Sequence, residues 1–157
     1  SKVINESELL QALEKARGID PRILIEEGLE VREIECGIIG NSELLTSEIG
    51  EVNYESDWYD YDSKYHSNNK IISPAEIDSK ITKEIKDIAI KSCRALNIFG
   101  FARVDFFLEK SSNKILLNEI NTIPGFTKNS MFPMLWEASG LTIEQLVAKL
   151  VDISLDL

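Results

Sequence analysis

Phe101-Ala102-Arg103-Val104-Asp105-Phe106-Phe107-Leu108 and Ile115-Leu116-Leu117-Asn118-Glu119-Ile120-Asn121 are two apolar runs separated by the polar stretch Glu109-Lys110-Ser111-Ser112-Asn113-Lys114. Runs of this kind, bounded by turn residues, read as two strands of a hairpin. Side chains alternate along a strand, so Arg103, Asp105 and Phe107 share one face, and Ala102, Val104, Phe106 and Leu108 the other. In the second run Leu117, Glu119 and Asn121 share a face. If Asp105 opposes Glu119, then Leu108 opposes Leu116, and residues 111–113 form a tip in which Asn113 takes a left-handed conformation. That register gathers Arg103, Asp105, Glu119 and Asn121 on one surface, and a slip of one residue scatters them.

Two carboxylates and an amide oxygen make an all-oxygen donor set of the kind that suits Mg²⁺. With no Cys or His nearby, the chemistry of a zinc site is lacking. Arg103 beside them is placed to stabilise negative charge that develops during a reaction. The alternation alone also fits an ordinary charged strand face turned to solvent.

Outward from the hairpin, Asn5 and Glu8 form a capping box for a helix with an apolar stripe of Leu9, Leu10, Leu13 and Ala16, stopped at Gly18. Residues 22–26 and 31–39 are rich in β-branched residues and read as strands, with a weaker third strand over 44–49. Residues 50–74 lack periodicity but carry Tyr54, Trp58, Tyr59, Tyr61 and Tyr65 among acids, which points to a long functional loop. A helix over 78–96 places Ile81, Ile85, Ile88, Ala89 and Ser92 on one face. Thr142 and Gln145 cap a last helix bearing Leu146, Val147, Leu150 and Val151. Strands and helices without strict alternation indicate an α+β fold with a mostly antiparallel sheet and flanking helices.

The 157 residues suffice for a core, and 43% hydrophobic with 28% charged residues describes a soluble globular chain. A formal net charge of −10 argues against nucleic-acid or anionic-membrane partners, and no apolar run is long enough to span a bilayer. No leader pattern is visible. Cys36 and Cys93 show no metal or redox spacing and read as buried thiols of a reducing compartment, the cytoplasm.

The segment Asn118-Glu119-Ile120-Asn121-Thr122-Ile123-Pro124-Gly125-Phe126-Thr127 closely resembles the signature of the D-alanine–D-alanine ligase family in the ATP-grasp superfamily, and Gly100-Phe101-Ala102-Arg103-Val104-Asp105-Phe106 resembles its partner segment. The likeness extends over essentially the whole chain, including Asn129-Ser130-Met131-Phe132-Pro133. It implies an incomplete ATP-grasp fold. Residues 1–45 would be the second half of the small subdomain with the adenine hinge. Residues 46–157 would be the C-terminal subdomain, with a lid over about 50–74 and a metal-binding hairpin at 101–121.

By that resemblance, Asp105, Glu119 and Asn121 would hold a pair of Mg²⁺ ions, with Mn²⁺ as an alternative, bridging the ATP phosphates. Arg103 would face the acyl phosphate and tetrahedral adduct. Gly125, Ser130 and Met131 would bind the second D-alanine, with Ser130 doubling as a helix N-cap. Glu26, Glu27 (through its backbone), Leu29, Glu33, Phe107 and Asn118 would bind the nucleotide. Trp58-Tyr59-Asp60-Tyr61-Asp62-Ser63-Lys64-Tyr65 is similar to the lid of these ligases, so Lys64 would meet the transferring phosphate and Tyr65 would pack over the substrates. His66, one residue on, reads as a surface residue. Family chains are longer and dimeric, so the resemblance implies a fragment of a homodimeric enzyme, inactive without the N-terminal part of its own chain. Two alternatives remain. One is a D-alanine–D-serine or other ATP-grasp ligase. The other is a non-catalytic nucleotide-binding module.

Overall fold

A computed structural model describes residues 1–53 and 70–156. The chain divides into two compact units, residues 1–30 and 31–157. The division between these units falls between Glu30 and Val31.

In the first unit, helix α1 spans Glu6–Arg17. Asn5 caps it by accepting from the Glu8 amide at 2.9 Å. The expected capping box is altered. The Glu8 carboxylate accepts from the Ile4 amide and from Asn5 Nδ2, at 2.9 and 2.8 Å, and so satisfies an amide one residue before the cap itself. Leu9, Leu13 and Ala16 are half-buried, whereas Leu10 is exposed. The strand expected over residues 22–26 is not formed, and Leu24 and Ile25 are exposed. A strand exists only through its neighbour's hydrogen bonds, and none is paired with this segment among the described residues.

In the second unit, five antiparallel strands among the described residues form one sheet in the order β3-β2-β1-β4-β5. They are β1 Val31–Gly40, β2 Leu44–Asn53, β3 Lys70–Ile72, β4 Gly100–Glu109 and β5 Ile115–Asn121. The stretch expected as a loop over 50–74 is strand at both ends, because β3 pairs with Glu51, Val52 and Asn53 of β2. Three residues are too few to show a period, so only the partner reveals them. The lid residues Lys64 and Tyr65, with Trp58 and His66, lie outside the described residues.

Alternation along the strands sets the two faces. Ile34, Cys36, Ile38, Val104, Phe106 and Leu108 meet Ile85, Ala89 and Cys93 of helix α2, Ser79–Ala95, which Asp78 caps through the Lys80 amide at 2.8 Å. On the other face Ile39 packs with Phe132, Trp136 and Leu146. These come from helices α3, Met131–Ala138, and α4, Ile143–Leu155, the latter closed by the Thr142–Gln145 capping box. Gly37 permits that approach, since a Cβ there would stand 2.8 Å from Trp136 Nε1 and 3.0 Å from Ser47 Oγ. Arg32 ties β1 to β2 with paired hydrogen bonds to Glu51, at 2.8 and 2.6 Å. Helices thus cover the second face at its Ile39–Phe101 end, and the other end carries the polar residues.

Candidate functional site

The hairpin register brings Asp105 opposite Glu119 and Arg103 opposite Asn121, as alternation predicts. Past Asp105 the register shifts. Phe106 opposes Leu117 and Leu108 opposes Ile115, not Leu116, so Asn118 is the extra residue of a β-bulge. The bulge keeps Asp105 over Glu119 but puts Leu117 opposite Phe106, so Leu117 does not share the face of Glu119 and Asn121 as plain alternation predicts, and it is left exposed. Asn113 adopts φ 57°, the left-handed turn conformation expected of it.

Strand β1 lies on the other side of β4 and extends the face. Glu33 is opposite Phe107, Glu35 opposite Asp105, and Gly37 opposite Arg103. Three carboxylates, Glu35, Asp105 and Glu119, therefore stand in a row across β1, β4 and β5. Arg103 makes paired hydrogen bonds to Asp105, 2.7 Å each, and its Nε lies 2.9 Å from Glu35 Oε2. Burial disfavours the charged guanidinium. Even so, the hydrogen bond to Asp105 and the charges of Glu35, Asp105 and Glu119 hold its pKa above the ordinary arginine value.

The donor set fits a hard divalent cation. It is all oxygen, it is partly exposed at Glu119, and its three carboxylates outnumber the one guanidinium. Among the described residues no three His, Cys, Asp or Glu side chains close into a cage. A cation here would draw on the Asn121 amide and on oxygens brought by a ligand. Asn121 Oδ1 meanwhile accepts from the Ile123 amide at 3.1 Å, turning the chain toward buried Pro124.

The following segment closes on itself. Ser130 occupies the N-cap of α3 but makes no capping hydrogen bond, so the expected capping role is not fulfilled. Its Oγ instead accepts from the Thr127 amide at 3.0 Å and pairs with Thr127 Oγ1 at 2.8 Å. A Cβ on Gly125 would stand 3.1 Å from that Oγ. Met131 is buried against Gly50, with Sδ 2.8 Å from where a Cβ would lie. Phe126 packs on Phe132, ring centroids 5.9 Å apart, and so anchors the segment to α3.

Glu33 and Phe107 thus join the carboxylate face, and Asn118 sits exposed in the bulge. Glu26, Glu27 and Leu29 belong to the first unit, where the two glutamates are exposed and Leu29 is half-buried. Sequence reasoning missed Glu35. The signal was present, because Glu33 and Glu35 alternate on β1, but nothing local told that β1 would lie beside β4. A cleft of about 330 Å³ lies elsewhere, lined by Asn41, Leu44, Arg94, Asn97, Ile98 and Phe99, and brings no carboxylate together.

An antiparallel sheet with helices on both faces and a carboxylate hairpin at one open end is the architecture of part of an ATP-grasp ligase. Solved structures bear this out. The D-Ala:D-Ser ligase VanG of Enterococcus faecalis superposes with TM-score 0.86 at 37% identity, over 98% of this chain and 45% of that one. The D-alanine–D-alanine ligase of Coxiella burnetii superposes with TM-score 0.85 at 36% identity, over 99% and 41%. The family described as D-ala D-ala ligase C-terminus matches residues 1–152, and the chain belongs to it. Among curated relatives, the D-alanine–D-alanine ligases of Prochlorococcus marinus strains MIT 9301 and NATL2A are 94% and 47% identical over 157 and 155 residues. Those alignments take in 100% and 98% of this chain and 44% of each relative, so the chain spans under half their length.

Proposed function

We propose that the chain is the ATP- and metal-binding part of a D-alanine–D-alanine ligase, which forms the dipeptide for peptidoglycan synthesis. Asp105 of the partner segment set opposite Glu119 of the signature segment, beside Arg103, is the observation that supports this most. ATP would phosphorylate the carboxylate of one D-alanine. The amine of a second would then attack the acyl carbon, lose a proton, and expel phosphate. Asp105, Glu119 and Asn121 would hold Mg²⁺, which neutralises phosphate charge when bound. Arg103 would stabilise the tetrahedral oxyanion, Lys64 the transferring phosphate, and Tyr65 would cover the substrates. Gly125, Ser130 and Met131 would seat the second amino acid.

Glu26, Glu27, Leu29, Glu33, Phe107 and Asn118 would hold the nucleotide, and residues 1–45 would be part of the small ATP-grasp subdomain. The whole enzyme would be a cytoplasmic homodimer. In the described residues no helix is long and apolar enough to cross a membrane. The likeness to VanG supports D-serine as a second acceptor.

The test is ATP-dependent ligation by the full-length protein, offered D-alanine, D-serine and D-lactate. Dipeptide formation with D-alanine is the expected result, falling on the order of 100-fold or more in Asp105→Asn and Glu119→Gln. Ligation unchanged by either substitution would remove the metal assignment. The 157-residue chain alone is expected to release no phosphate from ATP and D-alanine.

A further inference from the structure

Glu35 is the acid of this face to which the proposed reaction gives no part. It is 9% exposed, directly opposite Asp105, and on the same side of the sheet. The Nε–H of Arg103 donates to Asp105 Oδ1 at 2.7 Å, and the same Nε lies 2.9 Å from Glu35 Oε2, an ion-pair distance at which that buried oxygen accepts no hydrogen bond among the described residues. A divalent cation taken up by Asp105 competes with Arg103 for the same oxygens. A guanidinium only 16% exposed that lost its partner there would be strongly disfavoured. On β1 the residue opposite Arg103 is Gly37, which offers no side chain, and Glu35 is the neighbouring acid already in contact.

We propose that Glu35 is a positioning residue that keeps Arg103 on this face when Asp105 is given over to a divalent cation. The proposal rests on the metal reading of the face given above. Glu35 thereby lowers the cost of metal binding by offering Arg103 a second partner. It also holds the guanidinium where negative charge develops, rather than letting it swing to solvent.

The test is titration of the chain with Mn²⁺ alone, followed by electron paramagnetic resonance, in a double-mutant cycle of Glu35→Gln and Arg103→Met. Glu35→Gln should weaken Mn²⁺ binding at least about fivefold when Arg103 is present. In the Arg103→Met background it should change binding by less than about twofold. Equal losses in both backgrounds would make Glu35 a ligand or a bulk charge and overturn the proposal. The unsubstituted chain gives a second reading that needs no variant. With saturating Mg²⁺, the Arg103 Nε–H resonance should stay sharp and protected from water exchange, and its broadening into solvent exchange would count against the idea. Asp105→Asn separates the two claims. Mn²⁺ binding indifferent to Asp105→Asn ends the metal reading and this proposal with it. Binding that needs Asp105 but ignores Glu35 ends this proposal alone.

Discussion

Replacing Phe132 by alanine tests whether packing beneath the face positions the segment that follows the carboxylate hairpin. The ring is fully buried and meets three others: Phe101 at 5.7 Å, Phe126 at 5.9 Å and Trp136 at 6.4 Å. Truncating a buried phenylalanine costs about 3–5 kcal/mol, and aromatic pairs contribute about 0.5–1.5 kcal/mol each beyond area. With three pairs lost together, the upper part of the range, about 4–5 kcal/mol, is expected. The second unit spans residues 31–157. For a domain of that size this loss lowers Tm by roughly 15 °C. Urea titration and calorimetry measure it. Because Phe126 loses its seat, amide exchange at residues 125–130 should accelerate more than exchange in β1. Phe126→Ala, only half-buried, should reproduce the loop effect at about 1–2 kcal/mol. A loss below about 2 kcal/mol for Phe132→Ala, with exchange at 125–130 unchanged, would refute the reasoning.

Burial pushes the Cys36 thiol up to about 12 and the Cys93 thiol to about 11, from an ordinary 9.0. Both folded values exceed the unfolded one, so the stability they confer is intact below pH 9 and declines as pH rises toward 11–12. Denaturant titrations at stepped pH should follow that window, and a thiol reagent at about pH 8 should label neither cysteine until the chain is unfolded. Gly37→Ala should destabilise by about 1–3 kcal/mol, since the added methyl meets the rigid Trp136 indole; thermal melts at or above the parent value would contradict that packing.

Much of the fold was legible because its signals are local. The periods of β1, β4 and α2, the caps at Asn5 and Thr142, and the left-handed Asn113 each follow from a few adjacent residues. The grouping of Arg103, Asp105, Glu119 and Asn121 was legible too, because a two-residue period leaves few registers that bury Val104 and Phe106. What stayed hidden was long-range. The strand read at residues 22–26 has the right composition but no partner, and the short β3 has a partner but almost no composition to read.

By itself, then, the sequence determined the family, the strand faces and which acids share one. The physical reason is that alternation and capping are imposed by the backbone within a few residues. Only the tertiary structure decided that β1 lies beside β4, that Asn118 bulges, and that Glu35 shares Arg103 with Asp105. Those depend on which distant segments pair. Pairing is chosen by burying both faces of the whole sheet at once, against α2 on one side and α3 and α4 on the other.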